Sequence, residues 1–307
     1  MISMLLDGAA FTARQARAAG LPPAELTRLV AAGRVRRLLH DAYVDALLPE
    51  TVELRCEAVA LVMPPAAVIS RRTAAWLHGF EAYAPSVRDE WPQVECVVPA
   101  RLSRVRRRGV SGWEETLLPE DVTSVGGIRV TTPTRTAVDL ARYAPRFMGM
   151  ATLDDFCHRG LTDQTQLLAC AERFAGGRNI AVARELIMWV EPLTESPGES
   201  SLRLRILDAG FPRPEAQVRI VDASGRLVYR LDLGYRDRRL GLEYDGQEFH
   251  DTASDQAHDV ARRGRLAREF GWETHGFHRG HVLGRHPTVE LVVGGLLGIE
   301  PRLRRRW

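Results

Sequence analysis

Two stretches of alternating apolar and polar side chains, Leu227–Tyr235 and Leu240–Asp245, stand only four residues apart. Alternation over this length is typical of a β-strand with one buried face, and the short connection predicts an antiparallel hairpin. The apolar face of the first strand carries Leu227, Tyr229, Leu231, Leu233 and Tyr235. The apolar face of the second strand carries Leu240, Leu242 and Tyr244. The chain is therefore expected to build a sheet around this hairpin.

The register of the hairpin brings acidic side chains together. A tight turn pairs Tyr235 with Leu240, and continuing along both strands places Asp232 opposite Glu243. Asp245 lies on the same face as Glu243. Directly opposed side chains have Cβ atoms ~5 Å apart, where like charges repel, so the spacing predicts a site for Mg²⁺ or Mn²⁺. The alternative is a solvated sheet face on which these carboxylates pair with nearby arginines.

Two further residues are candidates for the same site. A helix predicted from Ser196 to Leu207 begins with a capping-box pattern, in which Glu199 caps its own helix start. The helix can also pack beside the hairpin and direct Glu199 towards the metal. His250 follows the hairpin closely and is a candidate for catalysis, although a lone histidine is also common as a surface or core residue.

The start of the chain has the pattern of a small DNA-binding domain. Thr12 caps a predicted helix that Gly20 ends, and a second helix is predicted over 24–32. A strand predicted over 34–44 completes the order of a winged helix. Its basic side chains, which are candidate DNA contacts, are Arg34, Arg36 and Arg37. Two short helices on a hairpin also occur in domains that bind no DNA.

Arginine supplies every fixed positive charge, because the 42 Lys+Arg residues include no lysine. With 39 acidic residues the net charge is +3. The planar guanidinium suits phosphate and guanine, and codon usage in a GC-rich genome is the alternative explanation. No apolar run approaches the ~20 residues of a membrane span, and the four cysteines lack a CxxC pair. We therefore expect a cytoplasmic protein with reduced thiols and no membrane contact.

The predicted elements and the local composition divide the 307 residues into three segments. A winged-helix-like segment spans 1–50, and a mixed α+β segment spans 51–190. A polar stretch with two prolines then begins the last segment, 191–307. The predicted fold class is a multidomain α+β or α/β protein whose last domain has a central mixed sheet flanked by helices.

The last segment carries a series of ordered polar motifs. They are Glu195-Ser-Pro-Gly-Glu199-Ser, Arg230-Leu-Asp232-Leu, Leu242-Glu243-Tyr-Asp245-Gly-Gln-Glu-Phe-His250, Asp259-Val-Ala-Arg262 and Gly271-Trp272. Together they resemble the motifs of Vsr-like endonucleases, the very-short-patch-repair enzymes of the PD-(D/E)xK nuclease superfamily. This resemblance implies a PD-(D/E)xK fold for 191–307 and metal-dependent cleavage of DNA phosphodiester bonds.

The nuclease resemblance implies a set of metal ligands. By position, Asp232 resembles the central metal-binding aspartate, and Glu243 resembles the acid of the (D/E)xK element. The backbone carbonyl of Tyr244 is a further implied ligand, and Glu199 resembles the helix-borne acid of these nucleases. The implied cofactor, Mg²⁺ or Mn²⁺, would lower the pKa of a bound water and neutralise charge on the transition state.

The resemblance also implies catalytic roles. Asp245 stands where the superfamily usually has a lysine, which is the main departure from the pattern. His250 stands where Vsr-type enzymes carry a catalytic histidine and would act as general base. Arg262, on a helix predicted over 255–270, would stabilise the phosphate or orient a carboxylate. The same helix carries further arginines for phosphates or carboxylates, unless it is an exposed cationic helix: Arg263, Arg265 and Arg268.

The upstream half carries two other motifs after its winged-helix start. They are Ser70-Arg-Arg-Thr-Ala-Ala-Trp-Leu-His-Gly79 and Thr132-Pro-Thr-Arg-Thr-Ala-Val-Asp-Leu140. This half resembles the AbiEi family of type IV antitoxins, which implies DNA binding and a nucleotidyltransferase toxin as partner.

Taken together, these features predict a DNA-binding, Mg²⁺-dependent endonuclease with a role in repair or defence. The alternative is a non-catalytic antitoxin or transcriptional repressor that binds an operator and keeps the nuclease fold as a scaffold. An RNA-processing enzyme is a third alternative, because the same metal chemistry serves both backbones.

Overall fold

The computed structural model describes residues 8–63, 67–81, 93–98, 110–246 and 262–303. The chain divides into two compact units, unit 1 (Met1–Leu140) and unit 2 (Ala141–Trp307). The predicted catalytic residue His250 lies outside the described residues. Within the described ranges, no helix is long and apolar enough to cross a membrane.

The described part of unit 1 begins with two short helices and a hairpin. These elements are α1 (Ala13–Ala18), α2 (Pro23–Ala31), β1 (Val35–Leu39) and β2 (Ala42–Asp45). Thr12 and Gln15 form a capping box at the start of α1, and a proline occupies the first turn of α2. The antiparallel strands turn at Asp41, which has a left-handed φ of 65°. The arrangement fits the predicted winged helix.

The other described elements of unit 1 are a mixed five-stranded sheet and further helices. Its strands are β3 (Val68–Ile69), β4 (Val94–Val98), β5 (Val110–Glu114), β6 (Val122–Val125) and β7 (Ile128–Thr131). The helices α3 (Val52–Val62) and α4 (Arg71–Leu77) lie in unit 1, and α5 (Pro133–Tyr143) begins in unit 1 and ends in the first residues of unit 2. The strand order is β5-β4-β3-β7-β6, and the β4–β5 and β3–β7 pairs are parallel. The predicted mixed α+β character of this segment is confirmed.

A buried arginine holds three carboxylates together in unit 1. The Arg135 guanidinium donates to Asp139 at 2.8 Å, to Asp121 at 3.1 Å and to Glu115 at 2.6 Å. Arg135 is only 1% exposed, and Asp139 is fully buried. Burial alone would lower the pKa of Arg135, but the three carboxylates outweigh it and raise that pKa. These ion pairs tie α5 to the chain that precedes β6.

Unit 2 combines several helices with a mixed four-stranded sheet. The helices are α6 (Arg146–His158), α7 (Gln164–Glu172), α8 (Ile180–Met188), α9 (Pro197–Asp208), α10 (262–270), α11 (Arg279–Leu283) and α12 (Thr288–Leu297). The strands are β8 (Glu215–Val221), β9 (Leu227–Tyr235), β10 (Leu240–Asp245) and β11 (Glu273–His278). Their order is β11-β10-β9-β8, and only the β10–β11 pair is parallel.

Helices cover both faces of this sheet. On one face, Leu202 of α9 and Val293 of α12 pack in the same core as Leu242 of the sheet. On the other face, Leu266 of α10 packs in a separate core with Leu231. The predicted mixed sheet flanked by helices is therefore present, while its assignment to the nuclease superfamily stays a prediction.

Buried ion pairs join α9 to the helices that precede residue 190. Arg203 lies 2.7 Å from Asp154 of α6, and Arg146 of α6 lies 2.6 Å from Asp208. The polar stretch that starts at Glu191 is therefore a connection inside unit 2. The chain divides compactly at residue 140, and the predicted domain boundary at residue 190 stays a prediction.

The four cysteines are free and buried, as expected for reduced thiols: Cys56, Cys96, Cys157 and Cys170. Burial raises the pKa of the Cys96 thiol to about 11. Burial, with the nearby charge of Asp154, raises the pKa of Cys157 to about 12. Both thiols therefore stay protonated near neutral pH, where the thiolate is the reactive form.

Candidate functional site

The hairpin of β9 and β10 has the predicted register near its turn, but the ladder ends before the predicted pair of Asp232 and Glu243. Tyr235 pairs with Leu240, and Leu233 pairs with Leu242, in an antiparallel ladder. Beyond this ladder the N–H of Tyr244 donates to the side-chain carboxylate of Asp232 at 2.8 Å. The Asp232 carboxylate thus takes the place of a backbone acceptor where the strand pairing ends.

The prediction of one continuous apolar face on β9 is wrong at Asp232. The apolar side chains before and after Asp232 point to opposite sides of the sheet. Leu233 packs with its partner Leu242 in the core beside α9. Leu231 packs in the separate core beside α10, in the direction that a Cβ on Gly241 would take. Since Gly241 and Leu242 are consecutive, they face opposite sides of the sheet. Leu231 and Leu233 therefore face opposite sides as well.

A residue with an unusual backbone conformation accompanies this switch in β8. Gln217 has a left-handed φ of 53°, which is uncommon for a residue other than glycine. Its neighbours Ala216 and Val218 pack in the two different cores, although alternate residues of a regular strand share one face. The side-chain amide of Gln217 donates to Glu199 at 2.9 Å. Gln217 therefore links β8 to the start of α9.

Asp232 lies among other carboxylates. Its pKa is raised to about 6, and burial is the largest cause of the shift. Three nearby negative charges contribute to the same shift, and they belong to Glu199, Glu243 and Asp245. The hydrogen bond from the N–H of Tyr244 opposes it. The structure thus brings the predicted acidic residues within electrostatic range of Asp232.

Arginines of α10 pair with the carboxylates of β10. Arg262 donates to Glu243 at 2.7 Å, and Arg263 lies 3.6 Å from Asp245. Glu243 is 5% exposed, and its burial raises its pKa, against the positive charge of Arg262. Arg262, a predicted catalytic residue, therefore holds a carboxylate in place.

Glu199 caps the start of α9. The hydroxyl of Ser196 accepts from the N–H of Glu199 at 3.2 Å, and the Glu199 carboxylate accepts from the N–H of Glu195 at 3.1 Å. The Ser196 half of the predicted capping box is therefore present, whereas the Glu199 carboxylate binds the N–H of Glu195 in place of the N–H of Ser196. Only a glycine fits at position 198, because the ring of Tyr244 fills the space that a Cβ would need. This close contact holds the start of α9 against β10.

The described residues do not fit a divalent cation in this arrangement. No three His, Cys, Asp or Glu side chains in the described part of the chain could hold a metal ion together. Glu243 is engaged by Arg262, and Glu199 is engaged by Glu195 and Gln217. The Mg²⁺ or Mn²⁺ cofactor stays a prediction, and so does its predicted ligand set of Asp232, Glu243, Glu199 and the Tyr244 carbonyl.

The predicted DNA contacts of the winged helix differ in their surroundings. Arg34 is exposed at the start of the hairpin. Arg36 donates to Glu50 at 2.8 Å and to the carbonyl of Leu48 at 3.0 Å, so it also holds the hairpin to the following chain. The guanidinium of Arg37 lies over the ring of Tyr43. Of these three arginines, Arg34 is therefore the most accessible for contact with DNA.

Comparisons with known proteins match the upstream half to a family. The family described as "Transcriptional regulator, AbiEi antitoxin" matches residues 3–44, and "AbiEi antitoxin C-terminal domain" matches residues 66–188. Among curated proteins, Uncharacterized protein MT2308 and Uncharacterized protein Rv2248, from two strains of Mycobacterium tuberculosis, are each 30% identical over 226 residues. These alignments cover 71% of this chain and 76% of each relative. The chain therefore belongs to the same family as these mycobacterial proteins, and it carries AbiEi antitoxin domains within residues 3–188.

Proposed function

We propose that the protein is a DNA-binding transcriptional regulator of the AbiEi antitoxin type, and that residues 8–46 contact the DNA. The observation that carries the proposal is the basic helix–turn–helix and hairpin of unit 1. This segment contains six arginines against three carboxylates. A cationic surface attracts the DNA backbone, since each neutralised phosphate releases counterions. The match to an AbiEi transcriptional regulator covers most of the same segment.

The helix α2 has the position of a recognition helix. In helix–turn–helix domains the second helix enters the major groove. Leu26 and Leu29 bury one side of α2 in the core, while Thr27 and Arg28 are exposed on the other side. Arg34 follows after the helix, where the hairpin begins. Both elements therefore present polar side chains that can contact bases or phosphates.

The proposal includes a protein partner. AbiEi antitoxins act in toxin–antitoxin systems, and the second family match, over 66–188, is to an antitoxin domain. The partner proposed here is a toxin of the nucleotidyltransferase class, as the family resemblance implies.

Replacing Arg14, Arg17 and Arg34 together by alanine is expected to weaken binding to the DNA upstream of the protein's own gene. These side chains are exposed and have no ion-pair partner among the described residues, so their replacement removes charge without breaking an ion pair of the fold. For each phosphate that is no longer neutralised, the negative slope of log affinity against log salt concentration is expected to become less steep by about 0.9. Fluorescence anisotropy over a salt series measures both quantities.

Arg129 offers a matched control, because it is an exposed arginine on β7, outside the proposed DNA surface. Arg129→Ala is expected to leave the affinity and the salt slope unchanged. A triple variant that folds normally and keeps the wild-type salt slope would show that this surface does not contact DNA.

A metal-dependent nuclease in unit 2 is the second candidate function. The observation that favours it is the group of carboxylates around Asp232, which contributes to raising the Asp232 pKa to about 6. Perturbed acidic groups of this kind are common at catalytic sites. The pairing of Glu243 with Arg262 opposes it, because a cation at Glu243 would have to displace the guanidinium.

A plasmid-cleavage assay tests this second candidate. Wild type, Asp232→Ala and Glu243→Ala are incubated with supercoiled DNA and Mg²⁺ or Mn²⁺, with EDTA as control. Because Arg262 holds Glu243, we expect the same background cleavage in all three proteins. Metal-dependent cleavage by the wild type that both variants lose would instead establish the nuclease.

A further inference from the structure

Adjacent arginines of α10 face alternate carboxylates of β10. Nη2 of Arg262 lies 2.7 Å from Oε2 of Glu243, and Nη2 of Arg263 lies 3.6 Å from Oδ2 of Asp245. Residues two apart in a strand share a face of the sheet. The two ion pairs therefore lie side by side along one face of β10. Arg262 and Arg263 together form the arginine clamp.

The neighbouring strand leaves room for the arginine clamp. Gly276 of β11 is the parallel partner of Glu243. A Cβ at Gly276 would overlap both the Asp245 carboxylate and the Arg263 guanidinium. Gly276 therefore leaves the space in which the second ion pair lies, and both side chains of that pair are exposed to solvent. The buried carboxylate of the clamp is Glu243, which Arg262 contacts.

Glu243 needs a positive charge because it is 5% exposed. An ionised carboxylate removed from water is costly unless a cation pairs with it. Arg262 supplies that charge from within the chain. A divalent cation at the same carboxylate would displace the guanidinium, and the described residues include no group of three ligands to compensate for that loss.

We infer that the arginine clamp, and not a divalent cation, neutralises the carboxylates of β10, so that unit 2 folds without a metal. At Glu243, Arg262 takes the place that the nuclease resemblance gives to Mg²⁺ or Mn²⁺. Because it belongs to the chain, it keeps these carboxylates occupied. The inference goes beyond the proposed function, which concerns DNA contact by unit 1, and either can fail without the other.

Thermal unfolding of the full chain in Mn²⁺ and in EDTA tests the absence of a metal requirement. Ligands that bind only the native state raise its unfolding temperature. The wild-type unfolding temperature is expected to be the same in both solutions, and calorimetric titration with Mn²⁺ is expected to show no binding. An increase with Mn²⁺ that Glu243→Gln removes would overturn the inference.

A double-mutant cycle tests the clamp itself. Arg262→Gln is expected to lower the unfolding temperature by about 5 °C, because Glu243 is left buried without its partner. Adding Glu243→Gln is expected to restore most of this loss, since a neutral amide needs no cation. Arg265 and Glu269 form an exposed ion pair on the same helix and serve as the control. The same exchanges there are expected to shift the temperature by less than about 2 °C.

If Arg262→Gln lowered the unfolding temperature equally in the wild type and in the Glu243→Gln variant, the inference of an arginine clamp would be overturned. If Arg262→Gln alone fails to fold, the double variant decides between the outcomes. A folded double variant supports the clamp, because the uncompensated carboxylate is then the cause of the failure. An unfolded double variant contradicts it.

Discussion

Replacing Arg135 by alanine lowers the free energy of unfolding of unit 1 by an expected 3–5 kcal/mol, roughly the cost of breaking a buried ion pair. Asp139 and Asp121 are both almost fully buried, and both lose their guanidinium partner. The third carboxylate, Glu115, loses a bond of 2.6 Å. Since native proteins are stable by about 5–15 kcal/mol, the loss leaves unit 1 close to unfolding. Urea unfolding followed by circular dichroism measures it.

The matched control for this change is Arg129→Ala, which removes an exposed arginine from β7 of the same unit. Surface substitutions of this kind usually change stability by less than about 0.5 kcal/mol. If Arg135→Ala cost no more than Arg129→Ala, the three carboxylates would not depend on the guanidinium. The buried network would then have no structural role.

Local patterns are what the sequence predicts well. The register that pairs Tyr235 with Leu240 follows from period-two alternation and a short turn, and the structure confirms it. The helix start at Thr12 follows from a capping pattern within four residues. Both features depend on neighbours in the chain, so a single sequence contains the information they need.

The face switch at Asp232 depends on contacts that a sequence pattern does not reveal. Gln217 adopts a left-handed conformation in the middle of a strand, and its amide binds Glu199, which lies on α9 and 18 residues earlier in the chain. No residue type marks this position as a turn. No sequence pattern identifies Gly276 either, because its role lies in the space that it leaves for Asp245 in the adjacent strand. Such features become visible only when the elements pack together.

The choice between a metal and arginine at the acidic face also depends on tertiary contacts. Spacing alone leaves both alternatives open for Glu243 and Asp245. The described contacts place Arg262 and Arg263 beside them, as the alternative of a face paired with arginines predicts, but Glu243 is buried and not solvated as that alternative expects. The sequence identifies Arg262 as a partner for either a phosphate or a carboxylate, and only the packing of α10 on the sheet distinguishes between them.

A fragment of residues 191–307 is expected to remain unfolded, whereas a fragment of 141–307 is expected to unfold cooperatively. The shorter fragment lacks α6, which provides Asp154 for the buried Arg203 and Arg146 for the buried Asp208. Without α6, both charges lose their partners and the face of α9 that α6 covers is exposed to solvent. The loss of two buried ion pairs and of this buried surface is expected to exceed what the remaining part of unit 2 can offset. Thermal unfolding followed by circular dichroism measures the difference.

The double variant Arg203→Met/Asp208→Asn in the shorter fragment provides the control for this explanation. It removes one buried positive charge and one buried negative charge that have lost their partners, so it is expected to recover part of the lost structure. A native-like melting transition in the unmodified 191–307 fragment would show that residue 190 is a true domain boundary. In that case the ion pairs between α6 and α9 would join two domains that fold separately, and the polar stretch at Glu191 would be a linker.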